Sequence, residues 1–306
     1  MRSPASPVIR TDISRRGALA LLVAPITLAL VAGTRRARAA RAPIHRIVTV
    51  GADLTEIVAE LDGGLDRLVG CDRSSRRPAA VRERASIGMF RAISAEGVIS
   101  LTPDLVISTA QVGPDGVANQ IAAAGIKFEF IDDEPTIAGI RRKIEKVAAL
   151  IDRDERARAM IAAIDRTADD LDRRTATATR RPNLLFVVAA DAGSAMAAGD
   201  VAPITAALAL AGFGNAGKAW KSIKPVSREA FITAPPDGLI TTPEVLAKAG
   251  GAEGFLKLTG FDAVLAPAAV LAIDAGPFML FGPSTPAIAH DVARYYLPEL
   301  FSGGPR

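Results

Sequence analysis

Beyond about residue 44, short β-branched apolar runs alternate with stretches in which apolar residues recur every three or four positions. The runs at residues 47–50, 67–71, 105–108 and 127–131 read as strands, and residues 54–61 and 117–124 as helices between them. This is α/β order. Asp53 followed three residues later by Glu56 predicts a capping box that starts the first helix straight after Gly51. From residue 135 to 175 the period changes: Ile140, Ile144, Val147, Ala148 and Ile151, then Met160, Ile161, Ile164 and Leu171, recur at helical spacing with dense charge between them. No Gly or Pro interrupts residues 140–180, which predicts a helical spine with a bend around Asp152-Arg153-Asp154. A strand-like run at 183–190 restarts the α/β pattern, which continues through 238–241 and 270–274 to a final helix at 286–301. The expected fold is α/β: two Rossmann-like lobes, residues 44–133 and 181–301, joined by a long helical spine at 134–180.

The two lobes carry an internal echo. Residues 94–109 read SAEGVISLTPDLVIST and residues 227–242 read SREAFITAPPDGLITT. Ser94 matches Ser227, Glu96 matches Glu229, Asp104 matches Asp237 and Thr109 matches Thr242. Each copy predicts a helix with a Ser cap and an acid in its first turn, then Pro-Asp leading into a buried strand.

Charge changes the picture less than the total suggests. The chain has 306 residues with 37 Lys and Arg against 33 Asp and Glu. Residues 1–39 hold seven of those bases and only one acid, so 30 bases face 32 acids in the rest. A mildly acidic body offers no phosphate-binding surface, which excludes nucleic acid as a partner. The front reads instead as a signal peptide: Arg15-Arg16 precede an apolar run at residues 17–33, then Ala37-Arg38-Ala39. The run is short for a membrane span and contains Pro25. The expectation is a twin-arginine signal over residues 1–39, export to the periplasm, and a mature protein starting near Ala40. Cys71, the lone cysteine, permits no intramolecular disulfide and is expected to behave as a buried hydrophobe.

With these pieces in view the sequence resembles the helical-backbone class of periplasmic binding proteins, and within it the haem-binding components of bacterial haem importers. The resemblance runs over residues 44–301, most clearly in RIVTVGADLTEIV at 46–58, LVGCDRSS at 68–75, IGMFRAISAEGVISLTPDLVI at 87–107, LLFVVAADAGSAMAAG at 184–199, KPVSREAF at 224–231 and FMLFGPSTP at 278–286. It implies a ligand cleft between the lobes, a monomer, and delivery of haem as cargo to an ABC permease and its ATPase. It also implies that Glu96 and Glu229 dock onto that permease.

Departures accompany the resemblance. Where the family commonly ligates haem iron through Tyr, this chain has Met89, and where some members add a His it has Ala190 beside Asp191. A Met89 thioether is a weak iron ligand, or a surface for the porphyrin to pack on. Loops at the carboxyl ends of parallel strands form the crevice in open α/β folds. That rule places Arg73, Met89, Phe90, Arg91, Asp191, Met196, Lys218 and Trp220 at the ligand. A ferric siderophore or a corrinoid is the alternative cargo. Only His45 and His290 exist, neither in a predicted crevice loop, so the chain is read as a binding protein and not an enzyme.

Overall fold

The computed structural model describes residues 43–302, so the predicted signal peptide lies outside the described residues. The first sheet is built from the apolar runs seen in the sequence. Strands β1 (Ile47–Val50), β2 (Leu68–Cys71) and β3 (Ala85–Ser86) are followed by a small hairpin, β4 (Gly88–Met89) and β5 (Ala92–Ile93), and then by β6 (Leu105–Thr109) and β7 (Lys127–Ile131). The sheet order is β3-β2-β1-β6-β7 and every pairing in it is parallel. Burial on both faces explains the near-continuous apolar runs of β1 and β6, whose residues are all buried. Helices α1 (Ala52–Asp62), α2 (Ala95–Ser100) and α3 (Val117–Ala123) are the crossovers.

The expected spine is two helices. Residues Ile137–Ile151 form α4 and Asp154–Thr175 form α5, separated where Asp152 takes the left-handed conformation at φ 56°. The two fold back on one another instead of bending gently: Arg141 of α4 bonds Asp165 of α5 at 2.7 Å. The 22 residues of α5 alone lead into the second sheet, a rod of about 33 Å at 1.5 Å per residue.

The second sheet is mixed. Its strands are β8 (Asn183–Asp191), β9 (Ser194–Ala198), β10 (Gly214–Asn215), β11 (Ile223–Ser227), β12 (Gly238–Thr241) and β13 (Val270–Ala272), in the order β11-β9-β8-β12-β13 with β10 also on β8. The first half of β8 pairs in parallel with β10 and β12, whereas its second half turns back in an antiparallel hairpin with β9, which in turn carries β11. Helices α6 (Ala202–Leu210), α7 (Arg228–Thr233), α8 (Pro243–Ala249), α9 (Gly251–Thr259), α10 (Ala275–Leu280) and α11 (Thr285–Tyr296) complete the lobe. The predicted last helix stops at Tyr296, because Pro298 cannot continue it and the chain closes in a 3-10 turn.

From Ile44 onward the chain packs as one compact unit. Its largest apolar cluster draws on both sheets, with Ile47 and Leu105 from the first and Phe186 and Ile240 from the second, bridged by Ile144 and Val147 of α4 and Leu171 of α5.

Candidate functional site

The echoed segments are one structural unit used twice. Ser94 caps α2 by accepting the Gly97 N–H at 3.0 Å, and Ser227 caps α7 by accepting the Ala230 N–H at 3.3 Å. Glu96 and Glu229 stand fully exposed in the first turns that follow. Each carboxyl is held below the usual carboxylate range by its own backbone N–H and then by the capping Ser hydroxyl, so both are anionic at neutral pH. Downstream, Asp104 accepts the N–H groups of His45 and Arg46 at 2.8 and 2.9 Å, and Asp237 accepts that of Asn183 at 2.7 Å. The Pro-Asp step therefore clamps β6 and β12 to the entry of each lobe's first strand.

The first-lobe candidates come together. The Arg73 N–H donates to Gly88 O at 2.8 Å, which joins the loop after β2 to the β4–β5 hairpin. Met89 pairs with Ala92 in that hairpin and is 48% exposed, a large apolar side chain left to solvent. Phe90 is half-buried against the apolar cluster under the first sheet, and the Arg91 guanidinium lies 5.2 Å above its ring while donating to Gln111 at 3.1 Å. Met89 and Phe90 thus offer apolar surface beside cations, an environment suited to a flat, charged-edge ligand.

The second-lobe candidates are arranged differently from the crevice loops the sequence suggested. Residues 191–196 are not a loop at the end of a parallel strand: Asp191 pairs with Ser194 across a tight turn through Gly193, φ 74°, and Met196 lies inside β9. The hairpin tip is tied to α7, where the Arg228 N–H donates to Gly193 O at 3.2 Å, so Asp191 sits beside the helix that carries Glu229. Trp220 packs on the second lobe's core with Lys224 Nζ 4.6 Å above its ring and with its indole N–H buried. Gly199 and Gly217 make room for it, since a Cβ at Gly199 would lie 2.3 Å from the indole Cδ1. Lys218 is exposed on the turn before it.

Two acids that the sequence reading passed over reach this region from the second lobe. Glu244, in the first turn of α8, is ion-paired with Arg76, and Asp274, the cap of α10, bonds Arg77 at 2.6 Å. Below them Asp72 is buried and accepts the Gly51 N–H at 2.8 Å and the Ser74 N–H at 3.0 Å, fixing the turn that presents Arg73, Arg76 and Arg77. Cys71 is buried as expected, and burial first, then the Asp72 charge, pushes its thiol up to about 11. Among the described residues no group of His, Cys, Asp and Glu is placed to hold a metal ion.

A capping box is not what Asp53 makes. Gly51 is the cap of α1, and the Asp53 carboxylate turns inward to Lys143 of α4 at 2.6 Å, while Glu56 accepts the Ser284 hydroxyl. Asp133 also meets Lys143 at 2.6 Å. Burial alone would lower the Lys143 ammonium, but Asp53 and then Asp133 hold it above its ordinary value.

The profile of the family described as periplasmic binding protein matches residues 47–266. Among curated proteins, the vitamin B12-binding protein of Photorhabdus laumondii is 25% identical over 220 residues, 71% of this chain and 74% of its own. Among solved structures, the periplasmic haem-binding protein BhuT in complex with two haems is 31% identical, with a TM-score of 0.76, over 85% of this chain and all of that one. RhuT from Roseiflexus sp. RS-1, a periplasmic haem-binding protein in apo form, is 30% identical, with a TM-score of 0.74, over 84% of this chain and 99% of that one.

Proposed function

We propose, on the premise that this chain belongs to the periplasmic binding protein family, that its cargo is haem. Proteins of this family bind and hand over substrates and are not enzymes, and an ABC permease with a small-molecule ligand are the partners it implies. The observation that carries the haem reading is the likeness to BhuT, which extends over the whole of that solved chain, a structure in complex with two haems. The exposed Met89 beside Phe90 and the cluster of basic residues around it are in keeping with a flat ring bearing acidic groups. In this reading Arg73, Met89, Phe90 and Arg91 from one lobe and Asp191, Met196, Lys218 and Trp220 from the other face the ligand, with Met89 a weak iron ligand at most. The protein works as a monomer, exported by the twin-arginine route, with lobes 44–133 and 181–301 either side of the helices at 134–180. Glu96 and Glu229 are the docking acids, and the permease's ATPase drives release.

One observation favours a second cargo. The curated relative binds vitamin B12, and a chain lacking Tyr at position 89 has no tyrosinate to prefer ferric haem. An absorption titration of the periplasmic protein decides between them. A Soret shift with hemin and no change with cyanocobalamin is the expected result, and the reverse would replace haem with a corrinoid. The docking reading is tested by Glu96→Ala with Glu229→Ala: hemin binding and thermal midpoint should stay as in the wild type while uptake in cells falls. Wild-type uptake by the double variant would remove the docking role.

A further inference from the structure

Between the loop that leaves β2 and the edge strand β3 lies a cavity of about 400 Å³. Arg73 and Arg76 reach it from the loop, Arg82 from the 3-10 turn Ala79–Glu83, and Arg84 from the residue before β3. Glu244 closes it from the second lobe with its carboxylate on Arg76. Among the described residues no acceptor meets the guanidinium groups of Arg73, Arg82 or Arg84. Four cations from three chain segments line one hollow with two acids, Glu244 on Arg76 and Asp72, whose carboxylate is already taken up by the Gly51 and Ser74 N–H groups, and the excess of positive charge draws an anion.

The kind of anion follows from Glu244. A guanidinium fork matches the two oxygens of a carboxylate, and here one fork already holds a carboxylate supplied by the protein itself. Arg76 and Glu244 are each about half exposed, at 49% and 54%, so the pair is solvated and its exchange for another carboxylate carries little penalty. The cavity also adjoins the Met89 hairpin, because Arg73, which lines it, is the residue whose N–H holds Gly88 O at 2.8 Å. A ligand lying on Met89 and Phe90 would sit beside the loop that carries Arg73 into this cavity.

We propose that this cavity is the carboxylate subsite of the transported ligand and that Glu244 is its resident competitor: a ligand carboxylate takes the place of the Glu244 carboxylate on Arg76, releasing that contact between the lobes as the ligand seats. The inference rests on the tetrapyrrole reading and narrows it. The cargo is a tetrapyrrole with two ionised carboxylates on one edge, such as haem with its propionates. A corrinoid, whose periphery is amidated, lacks the groups that Arg82 and Arg84 would meet.

The test compares hemin with hemin dimethyl ester, which keeps the ring and iron but has no ionised carboxylate, by Soret absorbance and by quenching of Trp220, the chain's only tryptophan. Hemin is expected to bind at least about tenfold more tightly than the ester. Arg82→Ala with Arg84→Ala should remove about tenfold from hemin affinity and nothing from ester affinity. Arg76→Ala should weaken hemin, whereas Glu244→Gln, which frees Arg76, should tighten it severalfold; a merely structural Glu244 would give no gain. Equal affinity for hemin and ester, or wild-type hemin affinity in the Arg82 and Arg84 double variant, overturns the subsite and leaves tetrapyrrole binding standing. Binding of cyanocobalamin without hemin overturns the cargo reading itself. Succinate has two free carboxylates and no ring, and tight binding of it without hemin would assign the cavity to a small free dicarboxylate and overturn this proposal.

Discussion

Two charged clusters help join the lobes, and they differ in what surrounds them: one is centred on Lys143, which pairs with first-lobe acids and donates to second-lobe carbonyls, and the other consists of ion pairs that cross directly. At the base, the Lys143 ammonium is fully buried between Asp53 and Asp133 and is also 3.3 and 3.4 Å from the carbonyls of Leu280 and Phe281 at the end of α10. Gly282 follows at once and lies so close to α1 that a Cβ there would be 2.8 Å from that of Asp53. At the mouth, Arg76–Glu244 and Arg77–Asp274 span the lobes in water. The same chemistry has opposite consequences in the two places. Pulling the second lobe away at the base would take the Leu280 and Phe281 carbonyls from a buried ammonium, so that joint resists opening; at the mouth, water or another anion replaces a partner at once. A binding protein needs both: a base that holds two lobes in register and a mouth whose contacts yield to the ligand.

Removing Lys143 is the strongest way to break this contrast. Lys143→Met leaves Asp53 and Asp133 facing one another without a cation and the two α10 carbonyls without a donor. A loss of about 3–5 kcal/mol is expected, read as a lowered urea midpoint. A loss no larger than that of a surface pair would mean the base is no more fixed than the mouth.

A pH series sharpens the comparison with a smaller effect. Lys143 is raised in the folded protein, so its stabilising contribution is complete below the lysine value of the unfolded chain and is lost as pH rises through the higher folded value. Cys71 works in the same direction: its thiol is held up to about 11, so above the unfolded thiol value the unfolded chain loses protons that the folded chain retains. Stability should therefore fall from about pH 9 upward, and by less in Lys143→Met. A wild-type urea midpoint that rises in that window would show the sign to be wrong. The mouth contributes nothing there, since arginine keeps its charge throughout.

Much of the outline was legible from the sequence, and the parts that were not share a cause. Runs such as residues 47–50 and 105–108 announced strands because burial on both faces leaves a nearly unbroken apolar signal, and the two Ser-x-Glu segments announced capped helices because their partners lie three residues away. Asp53 was misread because its partner Lys143 is 90 residues distant, and a carboxylate near a helix start looks the same whether it caps or turns inward. The 140–180 stretch carries no breaker residue, so the Asp152-Arg153-Asp154 step suggested a bend at the right place but not that Asp152 takes the left-handed conformation and folds α4 back on α5. The β8–β9 hairpin was taken for a crevice loop because small residues around Gly193 fit either. Nothing in the sequence singled out Arg82 and Arg84; only their convergence with Arg73 and Arg76 on one hollow distinguishes them.

The smallest effect belongs to Arg77→Ala. Arg77 and Asp274 meet at 2.6 Å, a good hydrogen-bond distance, yet the two side chains are 45% and 29% exposed, so water screens the pair and each group is solvated when it opens. Asp274 also keeps its task as cap of α10, accepting the Gly276 N–H at 3.2 Å, whether or not Arg77 is present. The variant removes the pair and the Arg77 charge that partly offsets the burial of Glu56, whose hydrogen bond from the Ser284 hydroxyl stays in place. Less than about 1 kcal/mol should be lost, and high salt should bring wild type and variant closer still. If Arg77→Ala instead matched Lys143→Met in urea, the mouth would be as much a structural joint as the base, and a ligand could not displace its contacts at modest cost.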